Sequence, residues 1–382
     1  MRPREELVEL LRIAMEDLVT NPELCRTMGE AAAEARDVHT WGLPRPQKLL
    51  PSTGRYSKRT RSRYDNCPLL EHHMNSATLT FLLLASVGEL PKVDVVKIEE
   101  IVRVPSYCEG IVFDHAGNGY VSHGKFVTKV TPDGKKSQWL DSGGAPNGHK
   151  ILGDGTHLIC DGNLHAVLLV SPEGKVLGKA SEKCGDKPLR GPNDLSLDVK
   201  NKGFYFTDPG GSDDKKLVGT VHYVDSKGVT HLCAEGLAFP NGIVLTPNGK
   251  RLLVAESKKN RILEYPVESP EKLGPMKVLC DLPAKAGEQI DNQPDGICLD
   301  SEGNLYVAHY GMRQVQVVDP MGKVIRRYPG GNLTTSNVAF GGPDMEILYI
   351  TGGIKGEGES EGGLFKVKLP GVKGLKILPA SK

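Results

Sequence analysis

A six-fold recurrence constrains this chain more than any other feature. A polar residue, most often followed by Gly, opens a short apolar run at Glu109 (EGIVFD), Asn147 (NGHKIL), Asn193 (NDLSLD), Asn241 (NGIVLT), Asp295 (DGICLD) and, weakly, Ser336 (SNVAFG). The spacings are 38, 46, 48, 54 and 41 residues. Each unit continues with a Gly/Asn/Asp turn and a second apolar run, as in GTHLICDG, KGFYFTDP, GKRLLVAE and GNLYVAHY. Short apolar runs bounded by Asp-Gly, Glu-Gly and Pro-containing turns read as hairpins. Strand-rich units repeating about every 45 residues are the pattern of a propeller. The expectation is an all-β fold, a six-bladed β-propeller occupying residues 91–382. The 45 Gly and 26 Pro of the chain supply its turns.

Residues 1–90 do not follow the repeat and read as a helical and loop N-terminal extension. Leu7, Leu10, Leu11, Ala14 and Leu18 form a helical stripe,. Asn21-Pro22 supplies an N-cap and first-turn proline for a second helix through about Arg36,. The simplest reading packs the stripe on its own propeller; the alternatives are a partner or a cover over the channel mouth. Val93–Val104 is expected to complete the sixth blade beside Gly363–Leu369. Ala77–Val87 is too short to span a bilayer,. Read from Met74 it has some look of a signal peptide but lacks basic residues just before the apolar part.

A net charge of +1 gives no electrostatic case for nucleic acid or an anionic membrane,. Aromatics at 5% argue against a base-stacking platform,. The eight Cys show no CxxC spacing, and Cys108, Cys160 and Cys298 lie in or beside strand runs. They read as buried reduced thiols, which points to a cytoplasmic setting.

In a propeller the first strand of each blade lines the central channel, so the six leading residues meet at one mouth. The second strands run back, which brings His123, Asp161, Asp208, Glu256 and His309 to the same opening as a second layer. Glu109, Asn193, Asn241 and Asp295 offer two carboxylates and two amide oxygens, hard ligands suited to Ca²⁺, Mg²⁺ or Mn²⁺. Two inward carboxylates repel unless a cation lies between them. An Asn or Asp before Gly is also a common turn former. For Asn147 both readings stand, and for Ser336 and Asn337 the turn is favoured. His123, His149 and His309 are candidates for a proton shuttle, weighed against ordinary strand histidines. No GxSxG, GxGxxG or P-loop pattern occurs,.

The stretches EGIVFD, GPNDLSLD, FYFTDP, FPNGIVLTPNGKRLLVAES, QPDGICLDSEGNLYVAHYGMRQVQVVDPMGK and TSNVAFGGPDMEILYITGG resemble the gluconolactonase/regucalcin (senescence marker protein) family over about residues 93–370. The resemblance implies a six-bladed propeller with one divalent metal at its axis. It places the metal glutamate on Glu109, the metal asparagine on Asn241 and the metal aspartate on Asp295. A further ligand or substrate-contacting asparagine falls on Asn193, and Arg190 lies near a substrate-binding arginine. The function expected is metal-dependent opening of a small-molecule lactone. Asp295 is the main catalytic candidate, assisted by Asn193 and His309; Asn193, Asn147, Asp208 and Arg190 would contact substrate. Calcium is the first choice of ion, with Mg, Mn or Zn as alternatives. The rivals are a phosphotriesterase-like hydrolase at the same metal, as in diisopropylfluorophosphatase, and a non-catalytic partner-binding propeller. A strictosidine-synthase-like condensing enzyme would not need the metal set.

Overall fold

Six antiparallel blade sheets, five of four strands and the fourth of five, follow one another along the chain, with a small two-stranded hairpin between blades 2 and 3, in the computed structural model, which describes residues 90–284, 292–354 and 361–375. Blade 1 runs from Cys108–Phe113 through Gly119–His123 and Phe126–Val130 to Lys136–Asp141. The innermost strands of blades 2 to 6 are Pro146–Ile151, Leu195–Asp198, Pro240–Leu245, Gln293–Leu299 and Thr334–Gly341. Each innermost strand neighbours the next, and the ring closes between Thr334–Gly341 and Cys108–Phe113. The expected six-bladed propeller is therefore observed. The helical N-terminal extension expected for residues 1–90, with the Met74 stretch, lies outside the described residues.

The strands are apolar on both faces because every blade is sandwiched between two others. In the second strand of blade 5, Leu305 and Val307 face blade 4, whereas Tyr306 and Ala308 face blade 6. The buried apolar side chains of the described residues form six clusters, one at each blade interface. Burying one such Leu, Val or Phe contributes about 1.5–3 kcal/mol, so the interfaces carry the stability of the ring. Cys108, Cys160 and Cys298 belong to these clusters, and the six described cysteines are free thiols. Among the described residues no helix is long and apolar enough to cross a membrane.

The outer strand of blade 6 comes from the other end of the propeller. Ile98–Val104 pairs antiparallel with Gly362–Lys368, as the sequence predicts, and Val102 and Val104 enter the cluster between blades 6 and 1. The backbone just before this strand is tied to blade 5. Tyr328 donates to the Pro91 carbonyl at 2.9 Å and Arg326 to that of Leu90 at 3.1 Å.

Candidate metal centre at the channel mouth

The recurring polar residue sits at a β-bulge. Register shifts occur between Cys108 and Ile111, Pro146 and His149, Pro240 and Ile243, Pro294 and Ile297, and Thr335 and Asn337. A bulge adds one residue to the strand and re-aims its side chain. Here it turns Glu109, Asn147, Asn241, Asp295 and Ser336 off the normal alternation. The turn reading of Asn147, Ser336 and Asn337 is thus corrected: all three lie inside strands.

The Gly that follows has a packing job. A Cβ on Gly110 would lie 2.2 Å from the Asn147 carbonyl oxygen, and one on Gly242 would lie 2.2 Å from that of Asp295 and 2.9 Å from the Gly296 Cα. The glycines let neighbouring innermost strands approach at the mouth. In blades 3 and 6 their places are taken by Asp194 and Asn337, whose side chains fill the room beside Gly148 and Gly296. Hydrogen bonds then join the blades. The Gly148 amide donates to the Asn193 carbonyl (2.8 Å), Thr207 to that of Asn241 (2.8 Å), Ser257 to that of Pro294 (2.7 Å) and Thr351 to that of Glu109 (2.6 Å). Replacing Gly242 with Ala should cost about 3 kcal/mol of stability, because backbone rather than a movable side chain meets the new methyl. It should also weaken divalent-ion binding by moving Asp295; thermal melts and titration calorimetry check both.

Glu109, Asp194 and Asp295 act on one another electrostatically at this mouth. Burial pushes the Glu109 carboxyl up to about 8, opposed by a hydrogen bond from Tyr107 and reinforced by the Asp194 charge. Glu109 Oε2 is buried and has no hydrogen-bond partner. Asp295 is 6% exposed. Burial, then the Glu109 and Asp194 charges, hold its carboxyl well above the usual range, against hydrogen bonds from the Asn241 side chain and the Gly296 amide. Asn241 is buried and Asn193 half-buried. Three buried acids within electrostatic reach, one with an orphaned oxygen, are costly without a counter-charge,. Hard oxygen donors disposed in this way fit a divalent cation.

Sequence reasoning missed two members of this group. Tyr107 bonds Glu109 and meets Tyr310 edge-on at 6.3 Å. Its phenol stays protonated because burial, then the Glu109 and Asp295 charges, raise it far above the ordinary value. Asp194 was marked in the sequence as an acid in the slot that four of the six units fill with Gly.

The expected second layer is buried. His123, Asp161, Asp208, Glu256 and His309 are each at most 3% exposed and hold loops to blades. Asp161 accepts from the Ala145 amide at 2.7 Å, Glu256 from the Ala238 amide at 2.8 Å and from Arg261 at 2.6 Å, and Asp208 from the Arg190 amide at 2.9 Å. His309 bonds Asn260 through Nε2 at 2.8 Å, and burial lowers it to about 4. The His309 and Asp208 side chains are both buried, and each keeps one polar atom without a hydrogen-bond partner, Nδ1 of His309 and Oδ1 of Asp208. Arg190 is exposed on the strand-linking segment before Asn193, with its guanidinium on the Val218 carbonyl. Asn147 is half-buried in the ring. Among the described residues, the three acid or histidine side chains with ligand atoms close enough to share one ion are Asp225, His231 and Glu271, at the hairpin after Val224. There Asp225 already accepts from the Lys227 and Val229 amides.

His149 lies away from the mouth chemistry. Its Nε2 meets His157 Nδ1 at 2.7 Å, and both rings pack among Tyr120 and Trp139. Burial lowers both, His157 to about 4. A depressed histidine stabilises the fold above its unfolded value and loses that contribution as pH falls. Stability should therefore decline between pH about 6.5 and about 4, and His157→Gln should flatten the decline in acid melts.

The sequence profile described as SMP-30/Gluconolactonase/LRE-like region matches residues 119–353. The chain belongs to this family. The lactonase drp35 of Staphylococcus saprophyticus is 29% identical over 294 residues, 71% of this chain and 86% of that protein. A strictosidine synthase-like 13 protein of Arabidopsis thaliana is 30% identical over 176 residues, 43% of this chain and 41% of that protein, so this match spans less than half of that relative. Among solved structures, a calcium-binding regucalcin of Agrobacterium tumefaciens superposes with a TM-score of 0.62 at 21% identity, covering 74% of this chain and 96% of that one. In family terms, the profile starts at the second strand of blade 1, so Glu109 lies just outside the matched span and Asn193, Asn241 and Asp295 lie within it.

Proposed function

We propose that the chain hydrolyses a small-molecule lactone at a divalent cation held by Glu109, Asn193, Asn241 and Asp295. The observation that carries this reading is the buried, mutually repelling pair Glu109 and Asp295, with Asn241 bonded to the second and an orphaned oxygen on the first. The lactonase name of the drp35 relative supports the substrate class, and the calcium-binding regucalcin supports Ca²⁺ as the ion.

A divalent ion supplies polarisation of the lactone carbonyl and a lowered pKa for attacking water. The residues do the rest. Asp295, ionised once a cation is present, accepts a proton from the water whose oxygen adds to the carbonyl carbon. The ring acyl C–O bond then breaks, and the proton passes to the departing ring oxygen, leaving a hydroxy acid. Asn241 fixes the Asp295 carboxylate, Tyr107 fixes that of Glu109, and Asn193 orients the ligand set. Asn147, and Arg190 once released from the Val218 carbonyl, would contact substrate hydroxyls.

The test is hydrolysis of a lactone panel, including glucono-1,5-lactone, by chelator-stripped protein before and after adding Ca²⁺, Mg²⁺, Mn²⁺ or Zn²⁺. Turnover that returns with one ion supports the reading. Turnover unaffected by chelation would sink the metal, and metal binding without turnover of any lactone would sink the substrate class in favour of another ester or phosphoester.

A further inference from the structure

We propose that Lys150 sets the net charge of the mouth and thereby matches it to a divalent rather than a trivalent cation. This rests on the reading of the mouth as a metal centre.

Three residues past the mouth position, the six innermost strands carry Val112, Lys150, Ser196, Val244, Cys298 and Ala339. Lys150 is the one cation in a tier that is otherwise apolar or weakly polar. Its strand neighbours His149 and Ile151 are buried, whereas Lys150 is half-exposed, so alternation points it away from the interface that those two share with blade 1. Its field is felt by Cys160 on its own blade, by Asp194 on blade 3 and by Cys298 on blade 5. Blades 2 and 5 are opposite members of a six-bladed ring, so an ammonium acting on both sides lies towards the axis. Among the described residues its ammonium makes no ion pair that would spend its charge on one partner.

The mouth then has three acids, Glu109, Asp194 and Asp295, and one ammonium that acts on Asp194 among them. Fully ionised, it carries two net negative charges, the complement of one divalent ion. Asp194 also accepts the Leu195 amide at 2.8 Å and packs against Gly148. We therefore assign it as the acid that Lys150 offsets and not as an ion ligand. Without Lys150 the mouth would carry three negative charges and favour ions of higher valence.

The experiment is titration calorimetry at pH 8 of chelator-stripped wild-type, Lys150→Met, Lys150→Gln and Lys150→Arg proteins with Ca²⁺ and with Tb³⁺. The interaction of a fixed charge with an ion scales with the ion's valence. The two neutral variants should bind Ca²⁺ about tenfold and Tb³⁺ about thirtyfold more tightly, a valence dependence that a packing change would not produce. The charge-preserving Arg variant should stay within about twofold of wild type. Equal factors for the two ions, or unchanged or weakened binding in both neutral variants, would overturn the assignment while leaving the metal centre in place. No binding of either ion by the wild type would remove the metal centre itself and the assignment with it.

Discussion

Replacing Asp295 with Asn should abolish divalent-ion binding and lactone turnover and yet raise the melting temperature of the chelated protein. The side chain is buried at 6% exposure and feels the Glu109 and Asp194 charges. An Asn has nearly the same shape, keeps a hydrogen bond with Asn241, and removes one of three mutually repelling acids. The gain should be about 1–3 kcal/mol, or roughly 2–10 °C, in the metal-free state. The loss at the site is larger: a missing charged ligand removes most of the affinity, and turnover should fall at least about a thousandfold. Melts, calorimetry and assays on one preparation decide it. A variant that melts lower without metal would show that Asp295 is held by favourable contacts and not by a cation-shaped gap. Wild-type turnover would end its catalytic role.

The second large effect is in the pH dependence of the ion's stabilising action. The folded Glu109 carboxyl is raised to about 8, from an ordinary 4.5, by burial first and by the Asp194 charge. A raised acid stabilises the fold fully below its unfolded value and loses that contribution as pH climbs through its folded value. The metal-free protein should thus lose a few kcal/mol between pH about 4.5 and about 8, with Asp295 adding in the same direction,. A cation displaces those protons, so the rise in melting temperature on adding Ca²⁺ should be small near pH 5 and grow towards pH 8. The buried His149–His157 pair acts with the opposite sign at lower pH, and His157→Gln separates the two contributions. A stabilisation by Ca²⁺ that does not change with pH would place the ion on groups already ionised, away from Glu109 and Asp295.

The ring architecture was legible because its cause is periodic. Each blade must present apolar residues to two neighbours, and that demand is written six times. The mouth acids were legible for the same reason: Glu109 and Asp295 fall where the repeat predicts a channel-facing side chain. What escaped was decided by tertiary distance. Nothing local marks Tyr107 as the partner of Glu109, because strand parity alone does not show which way a residue points across a bulge. The burial of the second layer was hidden for a related reason. His309 and Asp208 lie at the ends of their strands as expected, but each is buried and gives one polar atom to an adjacent segment, Nε2 of His309 to Asn260 and an oxygen of Asp208 to the Arg190 amide. The Gly after four of the six mouth residues looked like turn chemistry and is instead a demand for close approach between strands.

The pairing of Ile98–Val104 with Gly362–Lys368 also sets an order on biosynthesis. The strand that seals the ring leaves the ribosome before all six blades, and its partner leaves after five of them are made. At about 5–20 residues per second this interval is on the order of ten seconds or more. Throughout it, the strand carries unpaired amides and the apolar Val102 and Val104, an edge open to wrong partners,. The nascent chain must therefore hold that segment idle until translation of the last blade is nearly complete.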